Sequence, residues 1–105
     1  MQSNLIGNTL TVKITGDMDH FHVGFLRSEI DRKIREIPIK NLVFDLSELE
    51  FMDSSGVGLV MGRYRNVSAH GGRLEAVNLP PWCYKIMKMS GLEKIARIRM
   101  MGGKQ

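Results

Sequence analysis

The chain has 105 residues, of which 43% are hydrophobic and 25% charged, and this composition is typical of one globular domain over residues 1–105. No apolar run approaches the roughly 20 residues needed to cross a bilayer, and the polar start, Met1 to Asn8, does not resemble a secretory signal. Cys83 is the single cysteine, so we expect a small core residue and no internal disulfide. Together these features predict a cytoplasmic protein with no membrane association.

The net charge of +4 conceals an asymmetry along the chain, since residues 1–62 are acidic overall and residues 63–105 are strongly basic. The basic side chains are scattered, with only Trp82 and Tyr84 among them as stacking platforms. Nucleic-acid binding usually needs a denser basic surface. We therefore predict a solvated basic face and no nucleic-acid partner, with an acidic protein partner as the functional alternative.

The first elements in chain order are two strands and a helix. Residues 10–15 alternate apolar and polar side chains, which predicts a strand with one buried face, and residues 5–6 form a preceding strand across a tight turn. Asp19 is predicted to be the N-cap of the helix that follows, and Pro38 ends it. The apolar stripe of this helix consists of Val23, Leu26, Ile30, Ile34 and Ile37.

A central strand and a second helix follow. Residues 41–46 are apolar nearly throughout, which predicts a strand covered on both faces, and residues 47–52 are predicted to be a short loop. The second helix is expected from about Ser55 to Ala69, with residues 71–72 as its glycine stop.

The last elements are a strand, a third helix and a short strand. Residues 74–78 predict the strand, Pro80 and Pro81 suit the first turn of the helix that runs to Ser90, and residues 95–100 predict the final strand. The element order is therefore ββαβαβαβ. It predicts an α/β fold with a mixed β-sheet of about five strands, antiparallel at its start, and with helices packed against it.

The segment that carries functional information follows the predicted central strand. Asp53, Ser54 and Ser55 come beyond the carboxyl end of that strand, where open α/β sheets usually place their sites. Ser55 lies at the predicted helix N-terminus, where free backbone N–H groups and the helix dipole favour an anion. A phosphoryl group on Ser55 is therefore compatible with the fold.

Three glycines, Gly56, Gly58 and Gly62, lie early in this second helix, although each costs on the order of 1 kcal/mol relative to alanine. One explanation is that they let the backbone of a partner approach closely. A second is close packing of the helix on its own sheet, and a third is a plain N-terminal capping sequence. The residues alone leave these three explanations open.

Enzymatic and metal chemistry are not predicted. Met52 and Asp53 precede the serines, so the nucleophile elbow G-x-S-x-G is absent, and residues 58–63 lack the Lys-Ser/Thr ending of a P-loop. His20 and His22 are two residues apart, a spacing that does not place them on one helical face. The carboxylates Asp17 and Asp19 are interpreted as capping residues, so no metal site, catalytic residue or cofactor is expected.

Residues 51–58, Phe-Met-Asp-Ser-Ser-Gly-Val-Gly, closely resemble a motif of the STAS domain family, and within it the sporulation anti-sigma factor antagonists. Residues 16–20 resemble the family's G-E-L-D-H turn, and residues 62–64 and 89–95 extend the resemblance over nearly the whole chain. The D-S-S-G form is fairly specific, because stress-response relatives usually carry D-S-T-G. The family usually continues into a C-terminal helix, for which residues 100–105 are too short and glycine-rich.

The resemblance implies a non-enzymatic binding protein. Unphosphorylated, it would bind an anti-sigma factor that is also a serine kinase, and so release the sigma factor. The kinase, which uses ATP, would phosphorylate Ser55, the second serine of the motif, and a dedicated phosphatase would reverse this. Asp53 matches the family's acidic residue before the serines. The free protein is expected to be a monomer. The partner-binding residues implied by the motifs and the glycines are Asp19, Asp53, Ser54, Ser55, Gly56, Gly58 and Gly62.

An alternative within the same family remains open from the sequence. The chain could serve another phospho-regulated partner switch of the stress-response or stressosome type, or regulate a membrane transporter. A hydrolase that uses Ser54 or Ser55 is not favoured, because no elbow or obvious base accompanies these serines.

Overall fold

Three helices and five strands alternate along the chain in the order that the sequence predicts. The structure is a computed structural model that describes residues 1–103. The strands are β1 (Gln2–Ile6), β2 (Thr9–Met18), β3 (Asn41–Met52), β4 (Arg73–Leu79) and β5 (Arg97–Met100). The helices are α1 (Val23–Glu36), α2 (Ser54–Ser68) and α3 (Pro81–Met89), and short 3₁₀ turns cover Leu92–Lys94 and Met101–Gly103.

The sheet order follows the sequence order, from β1 to β5. β1 and β2 form an antiparallel hairpin across Gly7-Asn8, with Ile6 opposite Thr9, and every later pairing is parallel. The predicted mixed five-stranded sheet with an antiparallel start is therefore confirmed, and β3 is its central strand. Among residues 1–103, no helix combines the length and the hydropathy needed to cross a membrane.

The core lies on one face of the sheet. Alternate residues of β2, β3 and β4 are fully buried, as at Val12, Phe44 and Ala76, whereas the residues between them are only half-buried. The prediction that residues 41–46 are covered on both faces is therefore wrong. Cys83 is buried in this core as predicted, and burial raises the pKa of its thiol to about 12.

Residues 47–52 are not a loop, because β3 continues through them to Met52. β2 likewise extends past Gly16, which adopts a φ of 91° where the register between the two strands shifts. Each shift inserts an extra residue into β3 relative to β2, and glycine tolerates a positive φ at this irregular part of the ladder. The two long strands reach Met18 and Met52 side by side, and this pairing places the loops that follow them next to each other.

Candidate functional site

The candidate site lies at the carboxyl ends of β2 and β3. The loop after Met18 contains Asp19, and the residue after Met52 is Asp53, so the paired strand ends bring the two carboxylates to one edge of the sheet. Ser54 and Ser55 begin α2 at the same edge. The structure therefore gathers Asp19, Asp53 and both serines where parallel sheets usually place their sites, and the sequence predicts this strand-end position for Asp53 and the serines.

Asp53 joins the two loops by two hydrogen bonds. Its Oδ1 accepts from the backbone N–H of Ser55 at 2.8 Å, which makes Asp53 the N-cap of α2. Its Oδ2 accepts from the backbone N–H of His20 at 3.2 Å. One side chain thus satisfies a helix-end amide and anchors the loop between β2 and α1.

Asp19 is not the N-cap of α1, which corrects the prediction. The helix begins at Val23 with His22 in the N-cap position. Asp19 lies in the preceding turn, where its Oδ1 accepts from the backbone N–H groups of Phe21 and His22 at 3.1 and 3.0 Å. The same oxygen contacts Nδ1 of His22, a contact that lowers the pKa of Asp19 and raises the pKa of His22.

Asp17, Asp19 and His22 place one possible metal-ligand atom each within 4.8 Å of one another. The sequence interpretation, which treated the carboxylates as capping residues and paired His22 with His20, did not anticipate this cluster. The hydrogen bonds of Asp19 to the loop amides and to His22 already explain its position. We assign no metal to the cluster on this geometry.

One stripe of α2 faces away from the sheet and consists of Ser55, Gly58 and Gly62, spaced by three and four residues. Ser55 is half-buried, and Ser54 beside it is exposed. No atom lies within 4 Å of the position that a Cβ would occupy at Gly58 or at Gly62. The helix therefore presents bare backbone along this stripe, which fits close approach by a partner.

Gly56 serves a different purpose from the one predicted for it. It is buried, and a Cβ there would lie 2.5 Å from Cγ of Met52 and 2.6 Å from the carbonyl oxygen of Met18. Those contacts are far below van der Waals distance, so Gly56 lets α2 pack on the ends of β2 and β3. Its inclusion among the partner-binding residues is corrected, since its absent side chain faces the interior of the protein.

Arg63 is the one buried charged residue within 1–103, whereas the sequence interpretation had placed it on a solvated face. Its Nε lies 3.0 Å from Oδ1 of Asp31 on α1, and burial is the main cause that lowers its pKa. Asn66 donates to the same Asp31 oxygen at 3.3 Å. These contacts join α1 to α2 below the site. Asp31 and Arg63 lie on different helices, so local sequence patterns could not predict this ion pair.

Three exposed aromatic side chains flank the site residues in sequence. Phe21 is 87% exposed, Phe25 65% and Phe51 51%. The ring of His20 makes an edge contact with Phe21, with the ring centroids 5.7 Å apart. Aromatic residues are enriched at protein interfaces, so these exposed side chains are candidates to extend the surface around the site. The sequence interpretation missed Phe21 and Phe25, although Phe25 is an apolar residue on the exposed face of α1.

The STAS domain family matches residues 1–101 of the chain. An anti-sigma F factor antagonist of Paenibacillus polymyxa is 35% identical over 85% of this chain and 76% of its own length. An anti-sigma F factor antagonist of Lysinibacillus sphaericus is 38% identical over 80% of this chain and 72% of its own length. The solved structure of the Bacillus cell fate determinant SpoIIAA in its phosphorylated form is 32% identical, covers 94% of this chain and 90% of that one, and superposes with a TM-score of 0.73.

The one-sided sheet, the strand-end site and these matches define a STAS domain. The chain belongs to the STAS domain family and, within it, to the anti-sigma factor antagonists.

Proposed function

We propose that this protein binds an anti-sigma factor through the exposed stripe of α2 and is released when Ser55 is phosphorylated. The observation that carries the proposal is the open surface at Ser55, Gly58 and Gly62, beside the joined ends of β2 and β3. The names of the relatives add that they act against anti-sigma F factors. Binding to the anti-sigma factor would free its sigma factor for transcription.

The proposed partner is an anti-sigma factor that is also a serine kinase. In the transfer step, Oγ of Ser55 attacks the γ-phosphorus of ATP held by the kinase. The new O–P bond forms as the bond to ADP breaks, and the hydroxyl proton passes to a base of the kinase. ATP thus belongs to the partner, and this chain needs no cofactor of its own. We place these events in the cytoplasm, with the free antagonist as a monomer.

The reverse step is proposed to be hydrolysis by a phosphoserine phosphatase. Water attacks the phosphorus, and the products are inorganic phosphate and the restored Ser55 hydroxyl. Ser55 is half-buried and its amide is held by Asp53. A phosphoryl group adds about −1.5 to −2 charges at neutral pH, which a docking partner would have to desolvate. This chain provides the phosphorylated residue and the binding surface, and the kinase and the phosphatase provide the catalysis.

The test is phosphorylation by the anti-sigma factor kinase of the same organism with ATP. Intact mass should rise by one phosphoryl group, carried by the tryptic peptide over residues 41–63. Ser55→Ala should abolish the addition, and Ser54→Ala, one residue away, should keep it. Phosphate on Ser54 with Ser55 untouched would overturn the assignment, as would the absence of any modification in the wild type.

A further inference from the structure

A cleft of about 500 Å³ lies between the first turns of α1 and α2, open to solvent on one side. Ser55 and Gly58 border it from α2, and His20, Gly24 and Arg27 border it from α1 and the loop before it. Among residues 1–103, Ser55 is the one hydroxyl residue that lines this cleft, which Arg27 also lines. A group added to its Oγ would extend into a space that already carries a cationic side chain.

The amides at the start of α2 are poorly available to such a group. The N–H of Ser55 donates to the carboxylate of Asp53 at 2.8 Å, and the N–H of Gly56 donates to the backbone oxygen of Asp53 at 3.0 Å. The helix N-terminus is therefore largely occupied, which limits the anion site that the sequence suggested. A phosphoryl group on Ser55 would also lie near the negative carboxylate of Asp53, so it needs a cation from elsewhere.

Arg27 is an exposed arginine that makes no ion pair within residues 1–103. Its neighbour on the same helix, Arg32, is paired with Glu29 and Glu36. The pKa of Arg63 on α2 is lowered mainly by burial, opposed by Asp31, and lowered further by the charge of Arg27. Arg27 lines the cleft together with Ser55 and Gly58, so it lies on the side of α1 that faces α2.

We propose that this cleft is the binding site for the phosphoryl group carried by Ser55, with the Arg27 guanidinium as its cation and the His20 ring as a further donor. The proposal rests on the proposed phosphorylation of Ser55. A guanidinium group binds phosphate through bidentate, charge-assisted hydrogen bonds. An Arg27–phosphate pair would close the cleft over Gly58. Phosphorylation would then remove the open surface as well as add charge.

The experiment uses the whole chain with phosphoserine installed at Ser55 during translation, so that no kinase is required. The pKa of the phosphate is followed by phosphorus NMR in the wild type, Arg27→Gln, Arg27→Lys and Arg35→Gln. Arg35 is an exposed arginine near the end of the same helix, about 12 Å farther along its axis and unpaired within the described residues. The other titratable or charged groups around the cleft are His20, Asp53 and the Arg63–Asp31 pair, and they are identical in all four proteins.

Removal of the cation should raise the phosphate pKa in Arg27→Gln by about half a unit or more, as expected for a charge about 4 Å away in water. Arg27→Lys should recover part of the shift, and Arg35→Gln should titrate with the wild type. Equal pKa values in wild type and Arg27→Gln would overturn the proposal.

A second readout needs no substitution, so it holds even if a variant folds poorly. The Nε–H resonance of Arg27 should move when wild-type Ser55 carries phosphate, while that of Arg35 stays in place. An unmoved Arg27 resonance would overturn the proposal. These outcomes are independent of the kinase assay: failure of the kinase to modify Ser55 refutes the proposed function and leaves the installed phosphoserine measurement unchanged.

Discussion

The two faces of α2 use glycine for opposite reasons. On the inner face, Gly56 lets the helix pack against Met18 and Met52 at the strand ends, where even a methyl group would overlap other atoms. On the outer face, no atom lies within 4 Å of the Cβ positions of Gly58 and Gly62. Positions two residues apart on an α-helix point about 200° apart around its axis, so Gly56 and Gly58 face opposite environments. The inner glycine serves the fold, and the outer ones are available to a partner.

Gly56→Ala should break the inner face and give the largest loss of stability. The added methyl group meets the backbone oxygen of Met18 at 2.6 Å, and overpacking of this kind costs about 1–3 kcal/mol. The gain in helix propensity, up to about 1 kcal/mol, offsets part of this. Urea unfolding measures the change, and Gly58→Ala is the matched control, expected to be neutral or slightly stabilising. Equal free energies of unfolding for the two variants would contradict the distinction between a packed Gly56 and an open Gly58.

Asp53→Ala should give a smaller loss, because it removes the N-cap of α2 and the bond to the His20 amide. Loss of an N-cap costs about 1 kcal/mol, within a range of roughly 0.5–2 kcal/mol. Glu50→Ala is the control, since Glu50 is an exposed carboxylate of β3 with no hydrogen bond or ion pair in residues 1–103. Thermal unfolding of both variants provides the comparison. Identical melting would show that Asp53 does not stabilise the start of α2.

The element order and the sheet type could be predicted from sequence because they depend on local periodicity. Alternation in residues 10–15 and the apolar stripe of α1 are local patterns, and the structure confirms both elements. The extension of β3 through residues 47–52 could not be read in this way. Those residues pair with the end of β2 across register shifts, and tertiary pairing of this kind overrides weak local signals.

The site was predicted in position but not in detail. The strand-end placement of Asp53 and Ser55 follows from the α/β pattern, whereas the second hydrogen-bond donor to Asp53, the His20 amide, lies 33 residues earlier in the chain. The burial of Arg63 and of Gly56 depends on which way α2 is rotated against α1 and the sheet. Neither residue carries a local signal of that rotation, so the sequence left the explanations for the glycines open.

The most direct test of the outer face is Gly58→Leu, measured by urea unfolding beside a binding titration with the anti-sigma factor of the same organism. No atom lies within 4 Å of the Cβ position at this exposed residue, so the free energy of unfolding should stay within about 1 kcal/mol of the wild type. The bulk of the leucine should keep the partner's backbone from the helix and weaken binding at least about tenfold, equivalent to 1.4 kcal/mol. A folded variant that binds as tightly as the wild type would contradict the account of this surface.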